Sequence, residues 1–410
     1  MTGRHILIYE PGANGHQMEL IRYLLHAIQA RIQHVRVTLL TTENSSRHPN
    51  CVRLLAEFPL LVTLRIASLV TRRNRPLAAL SSFYEWQWRN TESFACAFDE
   101  IGPENVDFVF IPYLENVGLL QLGLRRGLFR GRPWGTLAIS VRYHQRRLGI
   151  AQPWQFSDIF QGLFHRRVLR DPMLAFFGTL NPFLKQAAPG PKMLYCPEPI
   201  PRQEPVSTAN ARAAYGLRAE TCVVLAFGII DQRKCIDILL EGAARLVPEI
   251  DLTVFLAGPQ NESHLRAALN GDAARKLRKH DRLVEANRFL LSGQDIDPLA
   301  TTDITWVYYE RKFVAQSSVL TRSAVWHRPV IVRRRGVIAR QVEQFNCGIT
   351  IDSEAPDAIA EALRRLATDP ELRARMGENG ARGFVNRTPE NFARPMVDAI
   401  SRVLVGQTAA

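Results

Sequence analysis

Two adjacent cations, Arg233 and Lys234, stand in FGIIDQRKCIDILL where an apolar run gives way to an amphipathic one. Lysine is scarce, six in 410 residues, so Lys234 is not one of a lysine-rich surface. Two cations at a strand-to-helix junction suit an anion, and a phosphate, a carboxylate partner or no ligand at all are the open readings. The six cysteines (Cys51, Cys96, Cys196, Cys222, Cys235, Cys347) form no C-x-x-C pair, and several lie in apolar runs, as buried thiols do. With no ligand spacing for a metal, none is expected.

The elements that must position such a site are legible on both sides of it. HILIYEPGANGHQ opens with an apolar strand (5–9) and a glycine turn. A helix follows, with apolar residues at Met18, Ile21, Leu24, Leu25 and Ile28, and then a second apolar strand at 35–41. Strand, helix, strand at this spacing is a β-α-β unit with parallel strands. Continuous apolar runs at 106–113 and 135–141 predict further strands covered on both faces. Residues 58–100 read as mostly helical.

Four prolines, Pro197, Pro199, Pro201 and Pro205, then exclude an ordinary helix and mark a linker, with a short helix at 208–216. The alternation restarts beyond it. Strands are expected at 222–228, 251–257, 303–309, 329–333 and 348–352, with a short segment near 287–293. Helices are expected at 234–246, 262–280, 316–326, 336–345, 355–368, 370–384 and 389–405. The fold class is therefore α/β: two doubly wound parallel-sheet, Rossmann-like domains facing across a cleft, with ligands outside the carboxyl ends of the strands. The domains are expected at 1–200 and 201–388, with 389–410 as a helix crossing back to the first.

Composition agrees with a two-domain globular chain: 46% hydrophobic and 22% charged residues are too apolar for disorder. The start reads as a strand and not a signal peptide, and no apolar run is long enough to span a bilayer, so the expected location is cytoplasmic. The net charge of +13 is uneven. Residues 116–170 hold ten arginines against one acid, Asp158, a net +9. Three readings of this stretch stay open: a solvated basic face, a surface for anionic lipid headgroups or an anionic acceptor, and nucleic acid. The last lacks any accompanying motif.

The second half, essentially 195–405, resembles the retaining GT-B glycosyltransferases of family 4, also known as glycosyl transferases group 1. The pieces run in the family's order: CPEPIP, FGIIDQRKCIDILL, VFLAGP, FLLSG, DITWVYY, WHRPVIV, CGITID and DPELRARMGENGARGF. The resemblance implies transfer of a sugar from a nucleotide-sugar donor, with retention of configuration and no metal. It implies a glycan, glycolipid or other acceptor on the first domain, preferably polyanionic or lipid-linked, and the arginines of residues 125–170 add an expected peripheral contact with the inner face of the cytoplasmic membrane.

Residue by residue, the resemblance assigns Lys234 to the donor diphosphate, with Arg233 in place of the family's Arg, whose position here is Ile229. It puts Gly228 and Gly258 at strand ends beside the donor. It implies a helix N-terminus at Ser317, Ser318 and Val319 whose amides face the diphosphate. Gly12, Gly15 and His16 in the first glycine turn are implied donor or acceptor contacts, and His144, after strand 135–141, a catalytic group near the sugar. One departure is plain. Counting back from Pro329, the family's two glutamates fall at Val314 and Arg322. Arg322 cannot accept hydrogen bonds from a ribose, though it can donate to phosphate. This keeps open a catalytically altered protein that binds a sugar nucleotide or partners an enzyme. An unrelated two-domain α/β protein, such as a periplasmic-type binding protein or an epimerase, is a third reading.

Overall fold

The computed structural model describes all residues except 1–2, 14–16, 71–81, 126, 151, 153–154, 156, 201–205, 261–262, 291–295, 314 and 407–410. The chain divides into two compact units. Unit 1 holds Met1–Leu148, Trp154–Pro199 and Thr388–Ala410; unit 2 holds Gly149–Pro153 and Ile200–Arg387. Each is built on one parallel sheet, so the expected pair of doubly wound α/β sheets is present.

Unit 1 contains β1 (Arg4–Tyr9), β2 (Val35–Thr41), β3 (Val62–Ile66), β4 (Phe108–Ile111), β5 (Trp134–Ala138), β6 (Leu174–Thr179) and β7 (Met193–Tyr195). Their spatial order is β3-β2-β1-β4-β5-β6-β7. The order reverses beside β1, where Ile6 is flanked by Val37 and Phe108. That is the switch point at which open α/β sheets leave a crevice. Ile6, Leu7, Ile8 and Tyr9 are fully buried, which is why β1 reads as a continuous apolar run rather than an alternating one.

The helices of unit 1 include α1 (Gln17–Arg31), α2 (Ser82–Ile101) and α3 (Ser157–Leu169). Helix α1 buries Met18, Ile21, Leu24, Leu25 and Ile28 at three- and four-residue spacing. The same core layer receives Phe392, Met396, Val397 and Ile400 from the C-terminal helix Pro389–Gly406.

Unit 2 contains β8 (Cys222–Phe227), β9 (Leu252–Ala257), β10 (Leu283–Ala286), β11 (Ile304–Trp306), β12 (Val330–Arg333) and β13 (Gly348–Ile351). They are ordered β10-β9-β8-β11-β12-β13, reversing beside β8. Helix α4 (Ile236–Ala244) follows β8, and α5 (Ser318–Val325) precedes β12.

Three sequence expectations need correction. The region 58–100, helical over α2, also contains β3, an edge strand in which only Val62 is buried, so its apolar pattern is weak. The helix expected at 262–280 is two helices, Ser263–Asn270 and Asp272–Lys279, divided at Gly271. The short segment near 287–293 is preceded by a strand, β10, and its last residues lie outside those described.

Candidate functional site

In unit 2 the ends of β8 and β9 meet through their backbones. A Cβ on Gly258 would lie 2.1 Å from the Gly228 carbonyl oxygen, and Gly258 has φ +135°. Only glycine permits that approach. Gly228 itself has φ +90°, and Ile229 after it is exposed. Asp231 caps a single 3-10 turn, Gln232–Lys234, by accepting from the Arg233 N–H. Cys235 then takes a left-handed conformation (φ +47°) and α4 begins.

This turn folds Lys234 inward. Its side chain is buried, and Nζ donates to the Phe227 carbonyl at 2.5 Å. A Cβ on Gly228 would lie 3.8 Å from Nζ. The Tyr309 ring centroid is 5.4 Å from the ammonium, and the Trp306 indole donates to the Lys234 carbonyl at 2.8 Å. Among the described residues no carboxylate pairs with Lys234. A buried cation facing only a carbonyl and a ring is under-compensated, and an arriving anion would relieve it.

Arg233, expected on the same anion, is half-exposed and turned to Asp231 at 2.5 Å. The helix start is close by. Ser317 occupies the N-cap of α5 but does not cap it with its side chain. Instead its hydroxyl exchanges a 2.9 Å hydrogen bond with Tyr309 OH. Tyr309 therefore joins Lys234 to the start of α5, where Ser318 is partly exposed and Val319 buried. Arg322, at the place of the missing glutamate, pairs with Asp297 at 2.6 Å and stacks 4.5 Å over Phe227. Asp297 also accepts from the Trp326 indole at 3.3 Å. Val314 lies outside the described residues.

Unit 1 has its own polar cluster at the carboxyl ends of β1, β4 and β5. Glu10 is fully buried; its Oε1 accepts from the Gly12 N–H at 2.9 Å and from Asn116 Nδ2, while Oε2 has no partner among the described residues. Burial pushes its pKa well above the carboxylate range. Glu115 Oε1 accepts from the N–H of Ile139 at 2.8 Å and of Ser140 at 2.5 Å; burial raises its pKa, and Oε2 is again unpartnered among those residues. Gly12 abuts Gln17, to whose Oε1 an added Cβ would approach within 2.7 Å. Gly15 and His16 lie outside the described residues.

His144, expected beside the sugar, has no exposed surface. Its Nε2 accepts from Asn181 Nδ2 at 3.1 Å, and burial pushes its pKa down to about 3. It is a neutral, internal imidazole. Beside it, buried His165 meets Tyr143 OH at 2.7 Å. Among the described residues no three His, Cys, Asp or Glu are grouped to hold a metal, and no helix is long and apolar enough to cross a membrane.

The structure thus groups Gly228, Lys234, Gly258, Ser317, Ser318 and Arg322 at the carboxyl ends of the inner strands of the unit 2 sheet. Tyr309 and Asp297 belong with them and were not anticipated. Glu10 and Glu115 were likewise missed in unit 1.

Residues 318–383 match the family model described as glycosyl transferases group 1. A D-inositol 3-phosphate glycosyltransferase of Corynebacterium urealyticum is 25% identical over 202 residues, 47% of this chain and 46% of that protein. One from Saccharomonospora viridis is 30% identical over 201 residues, 46% and 44% of the two chains. The chain thus matches less than half the length of these relatives.

Among solved structures, sucrose-phosphate synthase from Thermosynechococcus elongatus aligns with TM-score 0.64 at 15% identity, covering 98% of this chain and 100% of that one. Anabaena HepE in complex with UDP-glucose aligns with TM-score 0.64 at 13% identity, covering 97% and 99%. Identities this low establish a shared fold and nothing finer.

Proposed function

We propose that this chain, which resembles the group 1 glycosyltransferases in sequence and fold, transfers a sugar from a nucleotide-sugar donor whose diphosphate is held by unit 2. The observation that carries the reading is the Lys234–Tyr309–Ser317 arrangement. It sets an under-compensated ammonium and a helix N-terminus at one place, two devices that independently suit a diphosphate. A UDP-sugar is the first donor to try, because the similarly folded HepE was solved with UDP-glucose.

In the proposed reaction the anomeric C–O bond breaks through an oxocarbenium-like transition state, and negative charge grows on the departing diphosphate. Lys234 and the α5 amides stabilise that charge, and Gly228 and Gly258 let phosphate approach the backbone. The transfer is proposed to be metal-independent and to retain configuration. The acceptor is assigned to unit 1, and an anionic or lipid-linked glycan is the preferred class. The relatives named for an inositol phosphate are a precedent for an anionic acceptor.

Arg322 favours a second reading. Where the family has a glutamate, this chain has an internal Arg322–Asp297 pair, which fits a protein that binds a sugar nucleotide without turning it over. A screen of UDP-, GDP-, ADP- and dTDP-sugars by thermal shift, followed by donor consumption, separates the two. Stabilisation with turnover supports the transferase. Stabilisation without turnover supports the second reading, and no stabilisation by any donor contradicts both.

A further inference from the structure

Unit 1 contains a cavity of about 460 Å³ at the carboxyl ends of β4 and β5. That is within the range of ordinary small-molecule sites. Its wall is mainly apolar, with Phe83, Leu119, Leu120, Val141, Phe160 and Phe164. Glu115 is the one carboxyl among the described residues of the lining, and burial raises its pKa.

Helix α3 explains how the cavity meets the surface. Phe160, Gln161 and Phe164 turn one face of α3 to the cavity. The adjacent face is exposed and graded along the helix axis: Ile159 and Leu163 come first, then Arg166, Arg167 and Arg170. On the same surface segment after β5, Arg146 and Arg147 are exposed. Arg147 lies 6.0 Å over Tyr143, whose ring would be 3.0 Å from a Cβ on Gly162 of α3. Phe83, at the α2 end of the cavity, is half-exposed and stacks on exposed Trp86. An apolar hole beside exposed apolar side chains and five unburied arginines has complementary parts for a single kind of molecule.

We infer that this cavity binds the hydrocarbon chain of an anionic lipid, whose headgroup lies against the arginines at the C-terminal end of α3. The chain would displace water from the aromatic wall, and the headgroup would supply the counter-charge that Arg166, Arg167 and Arg170 lack among the described residues. The inference stands on unit 1 alone and does not need the donor reading of unit 2.

Calorimetric titration of the full chain with dodecyl phosphate, kept below its micellar concentration, tests it without any transfer reaction. Wild-type protein is expected to bind dodecyl phosphate and to show no measurable heat with butyl phosphate, because each buried methylene contributes about 0.8 kcal/mol. Ser140→Trp, which fills the cavity from an exposed position, should weaken binding about tenfold or more. Phe160→Glu, at a half-exposed position, should do the same and serves if Ser140→Trp fails to fold. Arg166→Glu with Arg167→Glu should weaken dodecyl phosphate but leave an uncharged dodecyl glucoside unaffected. No binding by wild type, equal binding of the two phosphates, or unchanged affinity in both cavity variants would overturn the site. Unchanged affinity in the arginine pair would overturn the headgroup assignment.

Discussion

Tyr309 touches both halves of the anion site: its ring centroid is 5.4 Å from Lys234 Nζ and its hydroxyl is 2.9 Å from Ser317 Oγ. The cation comes from the turn after β8 and the serine from the start of α5. One aromatic side chain thus fixes the separation between an ammonium and a helix N-terminus. Preorganisation of this kind avoids the cost of assembling the charges when the ligand arrives.

Removing only the Tyr309 hydroxyl tests that coupling. Tyr309→Phe should lower stability by about 0.5–1.5 kcal/mol, the usual net value of a buried hydrogen bond, and should weaken UDP binding by less than Lys234 substitution does. Urea denaturation and calorimetry read the two effects. Stability and UDP affinity both equal to wild type would remove Tyr309 from the site.

Gly258 packs its Cα against the Gly228 carbonyl, leaving no room for a side chain. Gly258→Ala must move one strand end or strain the backbone, so a loss of about 2 kcal/mol or more is expected in denaturant unfolding. A variant as stable as wild type would show that the two strand ends are not in contact.

The Arg322–Asp297 pair should be structural first. Arg322→Met leaves Asp297 facing Trp326 without its cation, and a loss of about 1–3 kcal/mol is expected. Asp297→Asn together with Arg322→Met should recover part of it. Failure of the double variant to recover any stability would argue against the pairing.

His144 gives a pH signature. Its folded pKa is pushed from the ordinary 6.5 down to about 3, and that of His165 to about 4. Below about 6.5 the unfolded chain takes up protons that the folded chain refuses, so this stability is complete above that pH and is lost as the pH falls toward those values. His144→Gln should flatten the acid side of the profile by up to one proton, about 1.4 kcal/mol per pH unit. Fluorescence-monitored urea unfolding at stepped pH measures the slope, and an unchanged slope would place the imidazole in contact with water.

Much of this was legible in the chain. Strands β1 and β8 announce themselves because burial on both faces makes them nearly unbroken apolar runs, and Lys234 stood out as a rare lysine at a junction. Edge strand β3 was not legible, since one buried valine leaves no pattern. Tyr309 reads as the tail of an apolar run, and only the pairing of β11 with β8 and β12 brings it to Lys234 and Ser317. Glu10, in YEPG, reads as part of a turn; its burial follows from Asn116, which the β1–β4 pairing delivers. His144 was legible as a histidine after a strand, but nothing local indicates that Asn181 and the surrounding core enclose it.

The most direct test of the donor reading is the affinity of Lys234→Met for UDP, measured by calorimetry against wild type. Methionine keeps the apolar stem that the site buries and removes the charge together with the Nζ hydrogen bond to the Phe227 carbonyl. The expected result is a loss of about 1.5–3 kcal/mol in UDP binding, the contribution of a hydrogen bond to a charged group, with folding intact. Equal UDP affinity in wild type and variant would contradict the assignment of the diphosphate to Lys234.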